Sequence, residues 1–170
     1  RDSIEPFVRG GAMLFHMLQK YTNIGRVIIN DINPNLITAY RVIRDTPERL
    51  ITDLKMLQRE FRQNSNEEAR KEYFLRIRKS YNEDTHNDVT NTAMFIFLNR
   101  TCFNGLYRVN SKGYFNVPFG KYTNPTICDE ELLLEDSKIL QNVEILCGDY
   151  TLIERYVDLS LIHISEPTRP

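Results

Sequence analysis

The chain opens on a short apolar stretch, Ser3 to Val8, broken by Pro6 and followed by Arg9-Gly10-Gly11 and then the helix-forming run Ala12 to Leu18. This pattern predicts strand, glycine turn, helix. Arg26-Val27-Ile28-Ile29-Asn30-Asp31 is a β-branched run ending in an acid, and Asn33-Pro34 then starts a helix whose apolar side is Leu36, Ile37, Tyr40, Val42 and Ile43. The two pairs stand in βαβ order. From Thr46-Pro47 the texture becomes highly charged, with Leu50, Leu54, Leu57 and Phe61 at helical spacing up to a polar break at Gln63-Asn64-Ser65-Asn66. A second helix is predicted from Glu67 to Tyr81. The polar patch Asn82 to Asn91 leads into Thr92 to Leu98, an apolar run that periodicity leaves open between buried helix and strand. Val109 to Phe115 reads as two short strands around Ser111-Lys112-Gly113, hence a hairpin or a loop shaped like one. Glu130 to Leu140 predicts a helix, and Val143 to Cys147 a strand closed by Gly148-Asp149. The fold class is therefore α/β, with βα elements flanking an inserted helical and hairpin region.

At 170 residues, with 41% hydrophobic and 26% charged content, the chain can bury one sizeable core and is neither disordered nor fibrous. No run approaches the roughly 18 apolar residues of a membrane span, and Arg1-Asp2-Ser3 does not begin a signal peptide, so a cytoplasmic location and no membrane partner are expected. The chain begins without methionine and enters a strand at once, which reads as a fragment. Cys102, Cys128 and Cys147 are odd in number and widely spaced, which predicts reduced thiols rather than a disulfide framework or a metal knuckle. His16 and His86 have no second histidine at ligand spacing, so no metal is expected. The formal net charge of -1 hides a basic stretch from Asn99 to Tyr122, which carries Arg100, Arg108, Lys112 and Lys121 and no acid. That segment should seek anions.

Two chemistries follow. A strand ending in a glycine turn that opens a helix, as at Gly10-Gly11, lets backbone N–H groups approach a carboxylate or phosphate, and Asp31 lies about twenty residues further on at a strand end, where an acid accepts from a ribose diol. Together they suggest an adenosine-type ligand; the alternative is that the glycines only make a tight turn and Asp31 caps the helix near Pro34. No GxGxxG and no GK[ST] is present, which disfavours NAD and ATP. The second chemistry is base reading. Arginine can grip guanine O6 and N7, asparagine can read adenine, and an aliphatic or proline face can pack on a thymine methyl, and Arg108, Asn104, Leu106 and Pro118 supply these groups in one segment. Arg100, Asn110, Asn116 and Lys121 suit phosphate contacts. Phe115 and Phe119 suit a local core.

The block Phe97 to Lys121, containing Asn99-Arg100-Thr101-Cys102-Phe103-Asn104-Gly105-Leu106-Tyr107-Arg108 and Tyr114-Phe115-Asn116-Val117-Pro118-Phe119-Gly120, resembles the DNA-recognition segment of the Dam-type (D12 class) adenine-N6 DNA methyltransferases. Glu5-Pro6-Phe7-Val8-Arg9-Gly10-Gly11-Ala12 is similar to that family's S-adenosylmethionine turn, with Arg9 where the family has glycine, and Asn30-Asp31-Ile32-Asn33-Pro34 is similar to its ribose-binding strand end. The resemblance implies a Rossmann-like methyltransferase core with an inserted helical and β-hairpin DNA-recognition domain. It divides the chain into 1–45 catalytic, 46–128 target recognition with a hairpin about 101–121, and 129–158 catalytic again. It also implies that Phe7, Gly10 and Gly11 line the methionine and adenosine moieties, that Asp31 holds the ribose, and that Asp149 and Tyr150 flank the adenine. On double-stranded DNA, Phe103 would wedge into the base stack and Arg108 would read guanine in GATC, for restriction-modification or solitary marking. Adenine must leave the duplex to be methylated. The family does this with an Asp-Pro-Pro-Tyr motif after Asp149-Tyr150, and this chain carries none, nor the family's N-terminal lysine motif, so no catalytic residue is assigned and the fragment is expected to be inactive. Competing readings are an RNA methyltransferase and a non-catalytic nucleic-acid-binding module.

Leu159-Ser160-Leu161-Ile162-His163-Ile164-Ser165-Glu166-Pro167-Thr168-Arg169 resembles the translation of a transposon-end sequencing adapter. On that resemblance residues 159–170 are a non-native tail that should not complete a sheet.

Overall fold

The computed structural model describes residues 3–5, 26–149, 151 and 162–163. The expected glycine turn and following helix, with Phe7, Arg9, Gly10 and Gly11, and the expected site residue Tyr150 lie outside the described residues. The chain divides into two compact units, one formed by Arg1–Asp45 with Leu134–Pro170 and the other by Thr46–Leu133.

The first unit is built on a parallel sheet of β1 (Ser3–Glu5), β2 (Val27–Asp31), β3 (Val143–Cys147) and β4 (Ile162–His163), in the order β3-β2-β1-β4. Val27 pairs with Val143 and Asp31 with Cys147, so β2 and β3 end together. All five residues of β2 are buried, as a strand covered on both faces requires. Helix α1 (Pro34–Asp45) packs Ile37 and Tyr40 against Val27, Ile29, Val143, Ile145 and Leu140. Pro34 stands at its first position, where a missing N–H costs nothing. At its other end the Arg44 carbonyl accepts from Ser137 Oγ at 3.0 Å and Gln141 Nε2 at 2.8 Å, so an orphan carbonyl of the last turn is satisfied by side chains. Ser137 belongs to α5 (Glu130–Leu140).

Ile162–His163 pairs with Ser3 and Ile4 of β1, which corrects the expectation that the tail would stay out of a sheet. The physical reason is local. An unpaired strand edge is a row of free donors and acceptors, and Ile162–His163 pairs along it through backbone groups, with the β-branched Ile162 suited to a strand.

The second unit is helical. Helix α2 (Pro47–Gln63) buries Leu50, Ile51, Leu54, Leu57 and Phe61, the predicted stripe. Helix α3 (Glu67–Glu83) runs two residues beyond the predicted Tyr81 and buries Tyr73, Phe74 and Ile77. The run Thr92 to Leu98 proves helical, inside α4 (Asp88–Thr101). Its start is fixed by Asn87, whose side chain accepts from Thr90 N at 3.0 Å, as Asn66 accepts from Ala69 N at 2.8 Å before α3. At the centre lies Phe61, fully buried, edge-on to Phe97 at 5.7 Å and to Tyr73 at 6.3 Å between ring centroids. Phe61→Ala should therefore cost about 3 to 5 kcal/mol of stability. Urea denaturation of the chain followed by far-ultraviolet circular dichroism checks this.

Candidate functional site

Two groups of predicted residues fall among the described ones, one in each unit. The first is the carboxyl edge of the parallel sheet, where open α/β sheets place their ligands. Asp31 ends β2, buried, and its Oδ1 accepts from Asn33 N at 2.8 Å while its carbonyl accepts from Gly148 N at 3.1 Å. The helix cap is Asn33 rather than Asp31: Asn33 Oδ1 accepts from Asn35 N at 3.1 Å and Leu36 N at 3.4 Å. Asp31 instead shapes the turn before the cap. Asn30, which sequence reading did not single out, is buried and donates through Nδ2 to Gly148 O at 2.8 Å and Asp149 O at 3.5 Å. It fastens the turn after β3 to the end of β2, so Asp31 and the exposed Asp149 belong to one edge. Asn30 Oδ1 is buried without a hydrogen-bond partner, and Ile32 is 67% exposed beside it in sequence. A polar residue closing a buried β-branched run was the available signal.

The second group is the loop after α4. Cys102 bridges Phe119 in antiparallel fashion, Phe103 N donates to Pro118 O and Gly120 N to Thr101 O, both at 2.9 Å. Asn104 (φ 54°) and Gly105 (φ 60°) take the left-handed conformation, which asparagine and glycine tolerate best. The sharp turn that results leaves Phe103 and Leu106 about half exposed, at 51% and 52%. Beneath it the buried Cys102 thiol donates to Leu106 O at 3.3 Å, and burial pushes its pKa up, which keeps the donor proton in place.

Further along, the predicted hairpin is a hairpin-shaped loop with a single bridge, Val109 to Phe115, and no continuous ladder. Asn110 Oδ1 accepts from Lys112 N at 2.9 Å and Tyr114 N at 3.1 Å, so that oxygen is used inside the turn. Arg108 Nε donates to Asn116 Oδ1 at 2.8 Å. Arg100, Phe103, Asn104, Leu106, Arg108, Asn110, Pro118 and Lys121 are all exposed and Asn116 is half-buried. The Lys121 ammonium lies 3.2 Å from Glu67 Oε1, a solvent-exposed pair that salt screens readily. Phe115 is buried and Phe119 packs on Phe74 at 5.5 Å, so both serve the local core expected of them.

The anchors of this loop were not anticipated. Asn82 Nδ2 donates to Phe115 O at 3.0 Å and Asn82 Oδ1 accepts from Phe115 N at 2.9 Å, so one carboxamide replaces a neighbouring strand. Arg78 Nη1 donates to Val117 O at 3.1 Å, and Gln58 Oε1 accepts from Ile127 N at 3.0 Å and Cys128 N at 3.2 Å. Among the described residues no group of His, Cys, Asp or Glu could hold a metal ion, and no helix is long and apolar enough to cross a membrane.

A parallel sheet with carboxylates at its carboxyl edge, and a helical unit presenting an exposed aromatic and basic loop, define a mixed α/β protein. Sequence comparison makes this specific. The chain belongs to the D12 class N6 adenine-specific DNA methyltransferase family, whose profile matches residues 1–160. It is 49% identical over 98% of its length to the type II methyltransferase M.MjaIII of Methanocaldococcus jannaschii, of which it covers 58%. It is 34% identical over its whole length to a DNA adenine methylase of Vibrio cholerae, covering 57% of it, and 30% identical over 98% of its length to the DNA adenine methylase of Escherichia coli, covering 56%. The chain thus spans a little over half the length of these relatives.

Of the loop's glycines Gly120 has the least room for a side chain, because a Cβ there would lie 2.5 Å from the Cys102 carbonyl oxygen and 2.5 Å from Tyr122 Cε2. Gly120→Ala should push the two segments apart at the Cys102–Phe119 bridge and destabilise the unit by about 1 to 3 kcal/mol. Faster amide exchange at Phe103, whose N–H bonds across that bridge, is the measurement that checks it.

Proposed function

We propose that this chain is part of a site-specific DNA adenine-N6 methyltransferase that acts on duplex DNA, with GATC as its site, and that residues 46–128 form its inserted target-recognition domain. The observation that carries the reading is the loop after α4. Its sharp turn leaves Phe103, Asn104 and Leu106 exposed, with Arg108 and Pro118 exposed on the same loop and no acid from Asn99 to Tyr122. In this reading Arg108 grips guanine, Asn104, Leu106 and Pro118 face other base edges, and Phe103 fills the space opened in the base stack. Arg100, Asn110, Asn116 and Lys121 meet phosphates. Lys121 would exchange Glu67 for a phosphate oxygen, a small cost for a screened surface pair.

The sheet edge suits S-adenosylmethionine by its acceptors. Asp31 and Asp149 offer acceptors for hydroxyl and amine hydrogens, exposed Ile32 offers an apolar face, and Asn30 keeps an unpartnered buried oxygen at the strand end. Asp31 would hold the ribose, Asp149 with Tyr150 the adenine, and Phe7, Gly10 and Gly11 the remainder. When bound, S-adenosylmethionine supplies a methyl group on a sulfonium, ready for transfer to a nitrogen lone pair. The task of this chain's residues is to orient and to read: Asn30 fixes the Gly148–Asp149 turn, and Asp31 is held by its own turn to Asn33. The 170 residues carry no Asp-Pro-Pro-Tyr, so this chain by itself is expected not to transfer methyl groups.

Arg108→Ala should cost about 1 to 3 kcal/mol on a GATC duplex and relax selectivity at one base pair, while Lys121→Ala should weaken all duplexes alike and lower the salt dependence. Fluorescence anisotropy with duplexes substituted one position at a time measures both; equal losses on every duplex for Arg108→Ala would refute base reading. Asp31→Ala should weaken S-adenosylmethionine binding by about tenfold or more, the loss of a charge-assisted hydrogen bond. Unchanged affinity by isothermal titration would remove Asp31 from the ribose site.

A further inference from the structure

Asn116 is coupled to Arg108 more closely than a phosphate contact would be. Three bonds join the two residues: Arg108 Nε to Asn116 Oδ1 at 2.8 Å, Arg108 Nη2 to the Asn116 carbonyl at 3.4 Å, and Asn116 N to the Arg108 carbonyl at 3.1 Å. They lie next to the Val109–Phe115 bridge, and Phe115 is in turn held by the Asn82 carboxamide. The guanidinium is therefore seated against a backbone that is itself anchored to α3.

A guanidinium has a side edge, formed by Nε–H and one Nη2–H, and an end edge, formed by Nη1–H and the other Nη2–H. Asn116 occupies the side edge with two oxygens. We propose that Asn116 is a positioning residue for Arg108, which leaves only the end edge free to grip a guanine and fixes the direction in which it points. Ordering a long arginine before binding lowers the side-chain entropy lost at the interface. The amide suits this task better than a carboxylate, because it holds the guanidinium without adding negative charge to a segment that has no acid. The proposal rests on base reading by Arg108 and engages Asn116 through Oδ1, which leaves its Nδ2 to donate to a phosphate.

The test is duplex binding by the full chain with Asn116→Ala, Arg108→Ala, the double variant and Asn116→Asp, using GATC duplexes and those altered at the pair Arg108 reads. Asn116→Ala should lower the preference for the correct pair about 3- to 10-fold, and the double variant should discriminate no worse than Arg108→Ala alone. Asn116→Asp keeps an acceptor at Oδ1, so it should retain the preference while weakening every duplex. If Asn116→Ala weakens all duplexes equally while Arg108→Ala abolishes the preference, base reading stands and the positioning role is overturned. If Arg108→Ala leaves the preference intact, base reading itself fails and the proposal with it. The DNA-free chain gives an independent reading by nuclear magnetic resonance. The Arg108 Nε–H should exchange slowly with water and should speed up in Asn116→Ala; an unchanged rate would show that the carboxamide does not hold the guanidinium, and the amide spectrum of the same sample reports whether the variant is folded.

Discussion

Between Cys102 and Asp129 the backbone has no ladder to bond to, yet parts of it are buried, and a buried N–H or C=O without a partner costs about as much as a lost hydrogen bond. Side chains of the helical unit meet that demand. Asn82 satisfies both backbone groups of Phe115, Arg78 takes the Val117 carbonyl, and Gln58 takes the Ile127 and Cys128 amides. Because Phe115 and Val117 are buried, these bonds set the depth at which the segment sits. An amide that pairs with both groups of one residue imitates a strand without extending an edge, so the loop gains the order of a sheet with no further row of free donors and acceptors.

The parallel sheet uses asparagine in a related way. Parallel strands ending in register deliver their turns to one edge, but they do not bond those turns to each other. Asn30 does so, through carbonyls of Gly148 and Asp149, while the Gly148 amide returns a bond to Asp31. The cost is an unpartnered buried oxygen on Asn30, of a size comparable to the gain from one of its bonds. Such an expense is tolerated where the geometry it fixes serves a purpose.

What the sequence disclosed and what it hid divide along physical lines. Helix Glu130–Leu140 and strand Val143–Cys147 were legible to the residue because turn signals bound them on both sides. The stripe of α2 was legible because one face alone is apolar. The Thr92 to Leu98 run of α4 is apolar on nearly every face, so its period carried no information, and the helix cap, Asn87, lay inside what looked like a uniform polar patch. Asp31 was open between ribose and cap; the cap falls to Asn33, and Asp31 accepts from the Asn33 amide in the turn before it. The roles of Asn30, Asn82 and Asn116 were hidden for a common reason: each bonds to residues far away in sequence or across a loop, and a carboxamide looks the same in the sequence whether it meets solvent, phosphate or a backbone group.

That common dependence on carboxamides has a consequence for electrostatics. A carboxylate at position 82, 110 or 116 could accept most of the same bonds, but each would place a negative charge in or beside the acid-free segment from Asn99 to Tyr122. Unscreened charges within a Debye length of about 8 Å act directly on whatever the loop approaches. With neutral clamps the segment keeps Arg100, Arg108, Lys112 and Lys121 as its only charges, and Glu67, which pairs with Lys121, belongs to α3 and is solvent-exposed. A polyanion could displace Glu67 at little cost, but it could not displace Asn82 or Asn110 without undoing the loop. Order and positive charge are thereby held by different residues, so the surface can exchange its weak ion pair for another anion while its shape is retained.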